Sequence, residues 1–314
     1  MDPLTDLISL LRPQTALLGS LHGTGQWGVR SPHYQDPSFF LVTEGTCWFQ
    51  QDGCDPLQLR EGDYLLVPHP LSATFVSDLG VETVLTDAAF KAVHGDNFTI
   101  GDGSNGERTT HVIGGLFLCD PANVKLLTGL LPPTIHIQSS AGITDRLRSI
   151  IAMIVEEVQS EWLGQELILS RLIEIMLIEA LRRQSSQQKP PIKGLLAGLA
   201  DPQLALALRQ IHADVGRAWT IAELASRVGM SRSSFARHFT AAVGAAPVEY
   251  LLVWRMALAK DALLHSDKSL TEIAFDIGYQ SASAFSTAFS RIVGCSPTQY
   301  VTEATREKAD RIGG

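Results

Sequence analysis

Residues 229–250 read GMSRSSFARHFTAAVGAAPVEY, and residues 278–300 read GYQSASAFSTAFSRIVGCSPTQY. The two stretches share one pattern. Phe235, Phe239, Gly244, Pro247 and Tyr250 recur fifty residues later as Phe285, Phe289, Gly294, Pro297 and Tyr300. Just upstream, Leu224, Ala225 and Gly229 recur forty-nine residues later as Ile273, Ala274 and Gly278, so the single added residue falls in the turn. A period of this kind marks one supersecondary unit used twice.

Each copy reads as a helix, a tight turn and a second helix. In the first, Thr220 caps a short helix over 221–228, and Ala225 permits close crossing. Gly229 supplies the left-handed turn, and Ser231 caps the next helix. At 100° per residue that helix buries Phe235, Phe239, Ala242 and Val243. It turns Ser233, Arg237 and Thr240 outward, with Ser234 and Ala236 on the flanks. In the second copy Thr271 or Leu270 opens the first helix, Gly278 makes the turn and Ser281 caps a helix that buries Phe285, Phe289, Ile292 and Val293. Ser283, Thr287 and Ser290 face outward there, with Arg291 beside them. The apolar stretch 250–264 forms a helical link able to set both second helices in successive major grooves, about 34 Å apart.

Charge supports a phosphate-facing surface only locally. The 314 residues carry 25 Lys/Arg against 33 Asp/Glu, a net charge of −8. Residues 1–200 hold 13 basic and 22 acidic residues, and residues 201–314 hold 12 and 11. Between Glu223 and Glu249 there are three arginines, Arg227, Arg232 and Arg237, and no acid; between Asp276 and Glu303 there is again no acid. An acidic chain that binds DNA must do so through such acid-free faces.

On these residues the C-terminal region, 201–314, resembles the AraC/XylS family of bacterial transcription regulators, the likeness covering about 201–300. The resemblance implies that the outward residues of both second helices reach base edges and phosphates. That role carries over to Ser233, Ala236 and Arg237 in the first unit and to Ser283, Ser286 and Thr287 in the second. With the neighbouring cations, hydroxyls and caps, the expected DNA-contacting set is Arg232, Ser233, Ser234, Ala236, Arg237, Thr240, Ser281, Ser283, Ser286, Thr287 and Arg291. The position of Thr287 is commonly Arg in the family, so the second face is neutral and the first carries the charge.

The rest of the chain differs in texture. Residues 1–140 show short alternating or β-branched runs broken by Gly, Pro, Asp and Asn, after an opening helix at about 3–11. FFLVTEGTCWFQQDG (39–53) and LREGDYLLVPHP (59–70) resemble the cupin-like sensor barrel found on many family members. Residues 141–184 read as a helical hairpin with a wide apolar stripe through Leu147, Ile150, Ile151, Ile154, Leu167, Ile168, Leu172, Ile175, Met176 and Ile178. More apolar surface lies there than one barrel face covers, so a homodimer is expected. Residues 185–200, entered through the polar run QSSQQKPP (184–191), form a linker. The two helix-turn-helix motifs occupy about 220–243 and 270–293. The fold class is thus α+β and multidomain: cupin-like β-barrel, helical hairpin, all-α DNA-binding domain.

The function expected is an effector-responsive, sequence-specific transcription regulator acting on double-stranded DNA, and on RNA polymerase if it activates. It is expected to be non-enzymatic and without cofactor. A competing reading is a cupin-type metal-dependent enzyme with an accessory DNA-binding domain. That chemistry needs several histidines and an acid converging in the barrel, and the nine histidines show no HxH or HxxxH spacing. His33, His69 and His111 are left as residues able to meet in space. Cys47 and Cys54 flank a hairpin turn and suggest a redox pair, against which stands the reduced state of cytoplasmic thiols. Cys119 reads as a core residue, and GDGSNG (101–106) as a surface loop without the Lys-Ser/Thr of a phosphate-binding loop. Trp27, Phe39, Phe40, Trp48, Phe49 and Phe75 line a ligand pocket or simply fill the barrel. No apolar run reaches the roughly 20 residues of a membrane span, and MDPLTDLISLLRP is acidic where a signal peptide is basic, so a cytoplasmic protein is expected.

Overall fold

The computed structural model describes residues 2–31, 36–51, 53–69, 72–85, 97–101, 108–119, 122–124, 128–139, 145–160, 162–186 and 193–312. His33 and residues 102–107, which include all of the GDGSNG loop but Gly101, lie outside them. The chain forms two compact units. One comprises Pro13–Cys119 and Pro132–Arg183; the other comprises Met1–Arg12, Asp120–Leu131 and Gln184–Gly314.

The first unit is built of two sheets. Strands β1 (Gln14–Thr24), β3 (Ser38–Glu44), β6 (Tyr64–Val67), β9 (Asn97–Gly101), β10 (Thr109–Leu118) and β11 (Ile135–Ile137) lie in the order β11-β6-β3-β10-β1-β9. Strands β2 (Gly28–Arg30), β4 (Thr46–Gln50), β5 (Leu57–Arg60), β7 (Thr74–Val76) and β8 (Val84–Leu85) lie in the order β5-β4-β7-β2-β8. Side chains alternate across a strand. Phe40 and Val42 of β3 therefore join Trp27, Val29, Cys47, Phe49, Leu59, Leu65, Val67, Phe75 and Val112 in one apolar cluster. Phe39 turns the other way, onto Phe117 and Tyr64, and is also buried. A strand buried on both faces reads as a continuous apolar run, as SFFLV does. Most of the expected barrel aromatics are therefore core.

The GD turn of LREGDYLLVP has a direct physical basis. Gly62 has φ +79°, and its N–H donates to Val42 O. The Asp63 carboxylate accepts from Arg60 N–H (3.1 Å) and Ser139 N–H (2.7 Å), with His136 Nε2 at 2.9 Å. Burial alone pushes the Asp63 carboxyl up, but the hydrogen bonds from His136, Ser139 and Arg60 outweigh it and hold the group below the usual range.

Helices α2 (Asp145–Gln159) and α3 (Gln165–Ser186) complete this unit. The buried stripe of α3 runs through Leu169, Ile173, Met176, Leu177, Ala180 and Leu181. Of the stripe expected from sequence, Leu147, Ile150, Ile154 and Met176 are buried, whereas Leu167, Ile168 and Ile175 of α3 are exposed, with Met153, Trp162 and Leu163. An apolar helix offers more than one face to a core, and periodicity does not choose between them.

The second unit is helical: α1 (Pro3–Leu11), α4 (Leu195–Ala200), α5 (Pro202–Ala213), α6 (Ile221–Arg227), α7 (Arg232–Val243), α8 (Pro247–His265), α9 (Leu270–Asp276), α10 (Ala282–Val293) and α11 (Pro297–Ile312). The contacts divide the chain differently from the boundary expected at residue 140. Helix α1, capped by Asp2 and opened by Pro3, buries Leu4, Leu7, Leu10 and Leu11 in the helical unit. Residues 120–131 belong there too: Asn123 Nδ2 donates to Ala257 O (3.1 Å) and Lys260 Nζ to Ala122 O (3.2 Å). No single helix among the described residues is long and apolar enough to cross a membrane.

Candidate nucleic-acid interface

Both helix-turn-helix units form, and their local chemistry repeats as the sequence does. Thr220 caps α6 by accepting from Glu223 N–H, and Ser231 caps α7 by accepting from Ser234 N–H (3.2 Å). Gly229 turns the chain at φ +70°, and Gly244 ends α7 at φ +86°. In the second unit Ser281 accepts from Ala284 N–H (3.1 Å), while Gly278 and Gly294 take φ +85° and +94°. The first helix of this unit opens at Leu270, one of the two residues expected, and Ser269 caps it. Ser269 forms a capping box with Glu272, a pairing that uses the side chain three residues on.

Phe235, Phe239, Phe285 and Phe289 are fully buried, which fixes the rotation of α7 and α10. Ala242, Ile292 and Val293, expected inside, are half-buried at the ends of those helices. With the phenylalanines inward, Arg232, Ser233, Arg237 and Thr240 are exposed on α7, and Ser234 and Ala236 are half-exposed. On the second unit Ser281, Ser283, Thr287 and Arg291 are exposed and Ser286 is half-exposed. Thr240 Oγ1 donates to Ala236 O (2.8 Å), Ser286 Oγ to Ala282 O (2.8 Å) and Thr287 Oγ1 to Ser283 O (3.0 Å). Their donor hydrogens thus serve the helix and their lone pairs face outward.

Among the described residues Arg232, Arg237 and Arg291 form no salt bridge. Arg227 behaves differently from the sequence reading that counted it with Arg232 and Arg237. It stacks over Trp219 (5.0 Å), donates to Gln210 Oε1 (2.6 Å) and pairs with Glu223 (3.6 Å). Arg217 covers the same indole (4.6 Å) and pairs with the same Glu223. The charge of Arg227 is spent within the fold, because Glu223 lies one helical turn before it.

Three further features were not legible in the motif. His238, on α7, lies 2.8 Å through Nε2 from Asp201 Oδ2, the residue that also caps α5. Burial acts to raise the Asp201 carboxyl, but the Leu204 N–H, His238 and Gln203 N–H hold it below the usual range. Arg255 of α8 donates to Val215 O (2.9 Å) and Arg217 O (2.8 Å), joining the α5–α6 loop to the link helix. The same loop meets the second turn so closely that a Cβ at Gly278 would lie 2.1 Å from Gly216 O. No local sequence signal points to pairs this far apart.

Elsewhere, His111 stacks on His22 with ring centroids 3.9 Å apart, and its Nδ1 lies 2.6 Å from Thr43 Oγ1. Among the described residues no group of three or more His, Cys, Asp or Glu converges as metal ligands would. Cys47 is buried in the sheet core, and burial, then Asp63, pushes its thiol up to about 12; Cys54 is exposed in the turn after β4, and both are free. That environment opposes the thiolate a redox pair needs.

The Cupin family model matches residues 2–186, and the Helix-turn-helix domain model matches residues 224–303. A putative AraC-like transcription regulator of Streptomyces lividans is 36% identical over 301 residues, covering 96% of this chain and 98% of its own. The HTH-type transcriptional regulator AlkR of Acinetobacter baylyi is 33% identical over 289 residues, covering 88% of this chain and 91% of its own. Among solved structures, the DNA-binding domain of AdpA in complex with a target DNA is 32% identical, covering 36% of this chain and 99% of that chain, with a TM-score of 0.32. The model matches over both halves and the end-to-end likeness to the Streptomyces and Acinetobacter regulators agree: the chain belongs to the family of AraC-like transcription regulators.

Proposed function

We propose that this chain is a sequence-specific regulator of transcription that reads duplex DNA through α7 and α10. The observation that carries this reading is the pair of acid-free helices, each capped at its N-terminus by a serine. They present Arg232, Ser233 and Arg237 on one and Ser283, Thr287 and Arg291 on the other. Helix N-termini and arginines suit phosphate, and short polar side chains suit base edges. In the chain as a whole, which is acidic, such faces are the natural place for phosphate. The same reading makes the chain a non-enzymatic cytoplasmic protein, with RNA polymerase as a partner if it activates.

Two finer parts of the proposal rest on the sheet unit. The exposed apolar residues Met153, Trp162, Leu163, Leu167, Ile168 and Ile175 support pairing of two copies through the α2–α3 hairpin, because isolated chains seldom leave so many large apolar groups in water. A polar trough of about 400 Å³, bordered by Arg30, Gln50, Gln51, Cys54, Thr74 and Thr83, supports a small polar effector. Arg30, Thr74 and Gln50 stand side by side across β2, β7 and β4 in one register row. The experiment is selection of duplexes from a random-sequence pool by the purified chain, followed by gel-shift titration. Enrichment of one motif with two half-sites is expected. Recovery of unrelated sequences, bound equally well by Arg237→Ala, overturns the proposal.

A further inference from the structure

Helix α1 brings a carboxylate into the interior of the helical unit. Asp6 is buried, and its Oδ2 lies 2.8 Å from Nδ1 of His212 on α5. The His212 side chain has no exposed surface, and its Nε2 lies 2.7 Å from the Tyr250 hydroxyl on α8. The Tyr250 ring meets Phe239 of the first recognition helix edge-on, with centroids 5.8 Å apart, and Phe239 packs on Phe235 at 5.7 Å. Trp254 closes the other side of His212 at 4.3 Å. A continuous line of contacts thus runs from the sixth residue of the chain to the buried face of α7.

The chemistry of the line sets its hydrogens. A carboxylate only accepts, so His212 donates from Nδ1, and its Nε2 shares a second hydrogen bond with the Tyr250 hydroxyl. Burial, reinforced by the charge of Asp6, pushes the Tyr250 phenol well above its ordinary range, which keeps that proton in place. Asp6 Oδ1 has no hydrogen-bond partner among the described residues. Four buried leucines and the Arg12–Asp261 ion pair (2.9 Å) already seat α1. A leucine at position 6 would do so without the cost of a half-satisfied buried carboxylate. A carboxylate there does something other than adhesion, and orienting His212 is what the geometry supplies.

We infer that Asp6 is a positioning residue for the first recognition helix, acting through His212, Tyr250 and Phe239, so that the aim of α7 depends on the seating of the N-terminal helix. The inference rests on the reading of α7 as a DNA-contacting helix. It distinguishes the two readers. Tyr300 meets Phe289 edge-on at 5.6 Å in the second unit, but the contacts of Asp6 are with α5, and through it α8, under α7.

The test uses the full chain and three variants, Asp6→Leu, Asp6→Asn and Tyr250→Phe, with two measurements. In hydrogen exchange, the amides of α7 are expected to exchange about tenfold faster in Asp6→Leu and Tyr250→Phe, the scale of one buried hydrogen bond, with α10 unchanged. Asp6→Asn keeps an acceptor and is expected to restore the parent pattern. In footprinting on a duplex selected by the parent chain, Asp6→Leu and Tyr250→Phe are expected to lose protection over one half-site and keep the other. Unchanged exchange in α7, or equal acceleration in α7 and α10, overturns the inference, since a merely structural role loosens both. Should Asp6→Leu fail to fold, Tyr250→Phe, which removes one oxygen, decides. Should the parent chain select no duplex, the DNA reading fails while the exchange experiment still decides the positioning role.

Discussion

Gly229 and Gly278 occupy the same place in the two helix-turn-helix units, yet alanine is expected to cost very different amounts at each. Both have positive φ, +70° and +85°, and a Cβ in that region costs about 1–2 kcal/mol. At Gly229 the added methyl would meet nothing within 4 Å, so Gly229→Ala should lose only that amount. At Gly278 the methyl would lie 2.1 Å from Gly216 O and 2.8 Å from Arg255 Nη2. Two backbone segments must part by roughly an ångström, since interiors are packed too tightly to absorb the overlap. That movement pulls Val215 O and Arg217 O away from Arg255, and each such charged hydrogen bond is worth about 1.5–3 kcal/mol. Gly278→Ala should therefore cost on the order of 4–8 kcal/mol, a large share of a domain's stability. Equilibrium urea unfolding of the full chain, followed by far-UV circular dichroism, measures both. Similar losses for the two variants would refute the reasoning, because the close approach of the α5–α6 loop to the second turn would then carry no weight.

Four other expectations follow from particular residues. Arg237→Ala should weaken binding to the selected duplex by about 1–3 kcal/mol and lower the slope of log affinity against log salt by about 0.9, whereas Thr287→Ala should leave the slope unchanged; equal slope changes would contradict the unequal charging of the two helices. Arg227→Ala, by contrast, should leave that slope intact and lower the melting temperature, because its charge is held by Glu223 and Trp219; a slope change like that of Arg237→Ala would return it to the interface. Leu167→Glu should shift the chain from dimer to monomer by light scattering at micromolar concentration, and an unchanged mass would remove the hairpin from the interface. The folded Asp63 carboxyl titrates below the unfolded value of about 3.9, so its contribution is complete above that pH and is lost as pH falls through the folded value; Asp63→Asn should flatten this acid limb, and an unaltered limb would show that other carboxylates govern it.

What could be read from sequence was what the chain repeats. Phe235, Phe239, Phe285 and Phe289 announce the rotation of both recognition helices because four buried rings at helical spacing leave one face outward. The serines and glycines announce the caps and turns because few residues tolerate those positions. The GD turn of the sheet unit was legible for the same reason, in Gly62 and Asp63. Features that depend on distant partners were not. Arg227 looks like a free cation in sequence, since beyond Glu223 of its own helix the groups that hold it, Gln210 and the Trp219 indole, come from the preceding helix and loop. Helix α1 reads as an opening helix of the sheet unit, because nothing in PLTDLISLL says that Asp6 will meet a histidine two hundred residues on. The buried face of α3 is not legible because its apolar residues fall on more than one side, and packing alone selects among them.

The join made by Arg255, Gly216 and Gly278 has a consequence for the DNA. Two reading heads on a flexible tether would accept half-sites at many separations, since the tether takes up the difference at little cost. Here the loop of the first head is tied to the link helix by two hydrogen bonds from one guanidinium, and its backbone closely approaches the turn of the second. With α7 and α10 as the proposed readers, the protein would act as a ruler, measuring the distance and the twist between two short words and not only their spelling. Promoters it serves should tolerate base changes within a half-site better than the gain or loss of a few base pairs between them, because about five base pairs would carry the second word to the far side of the double helix.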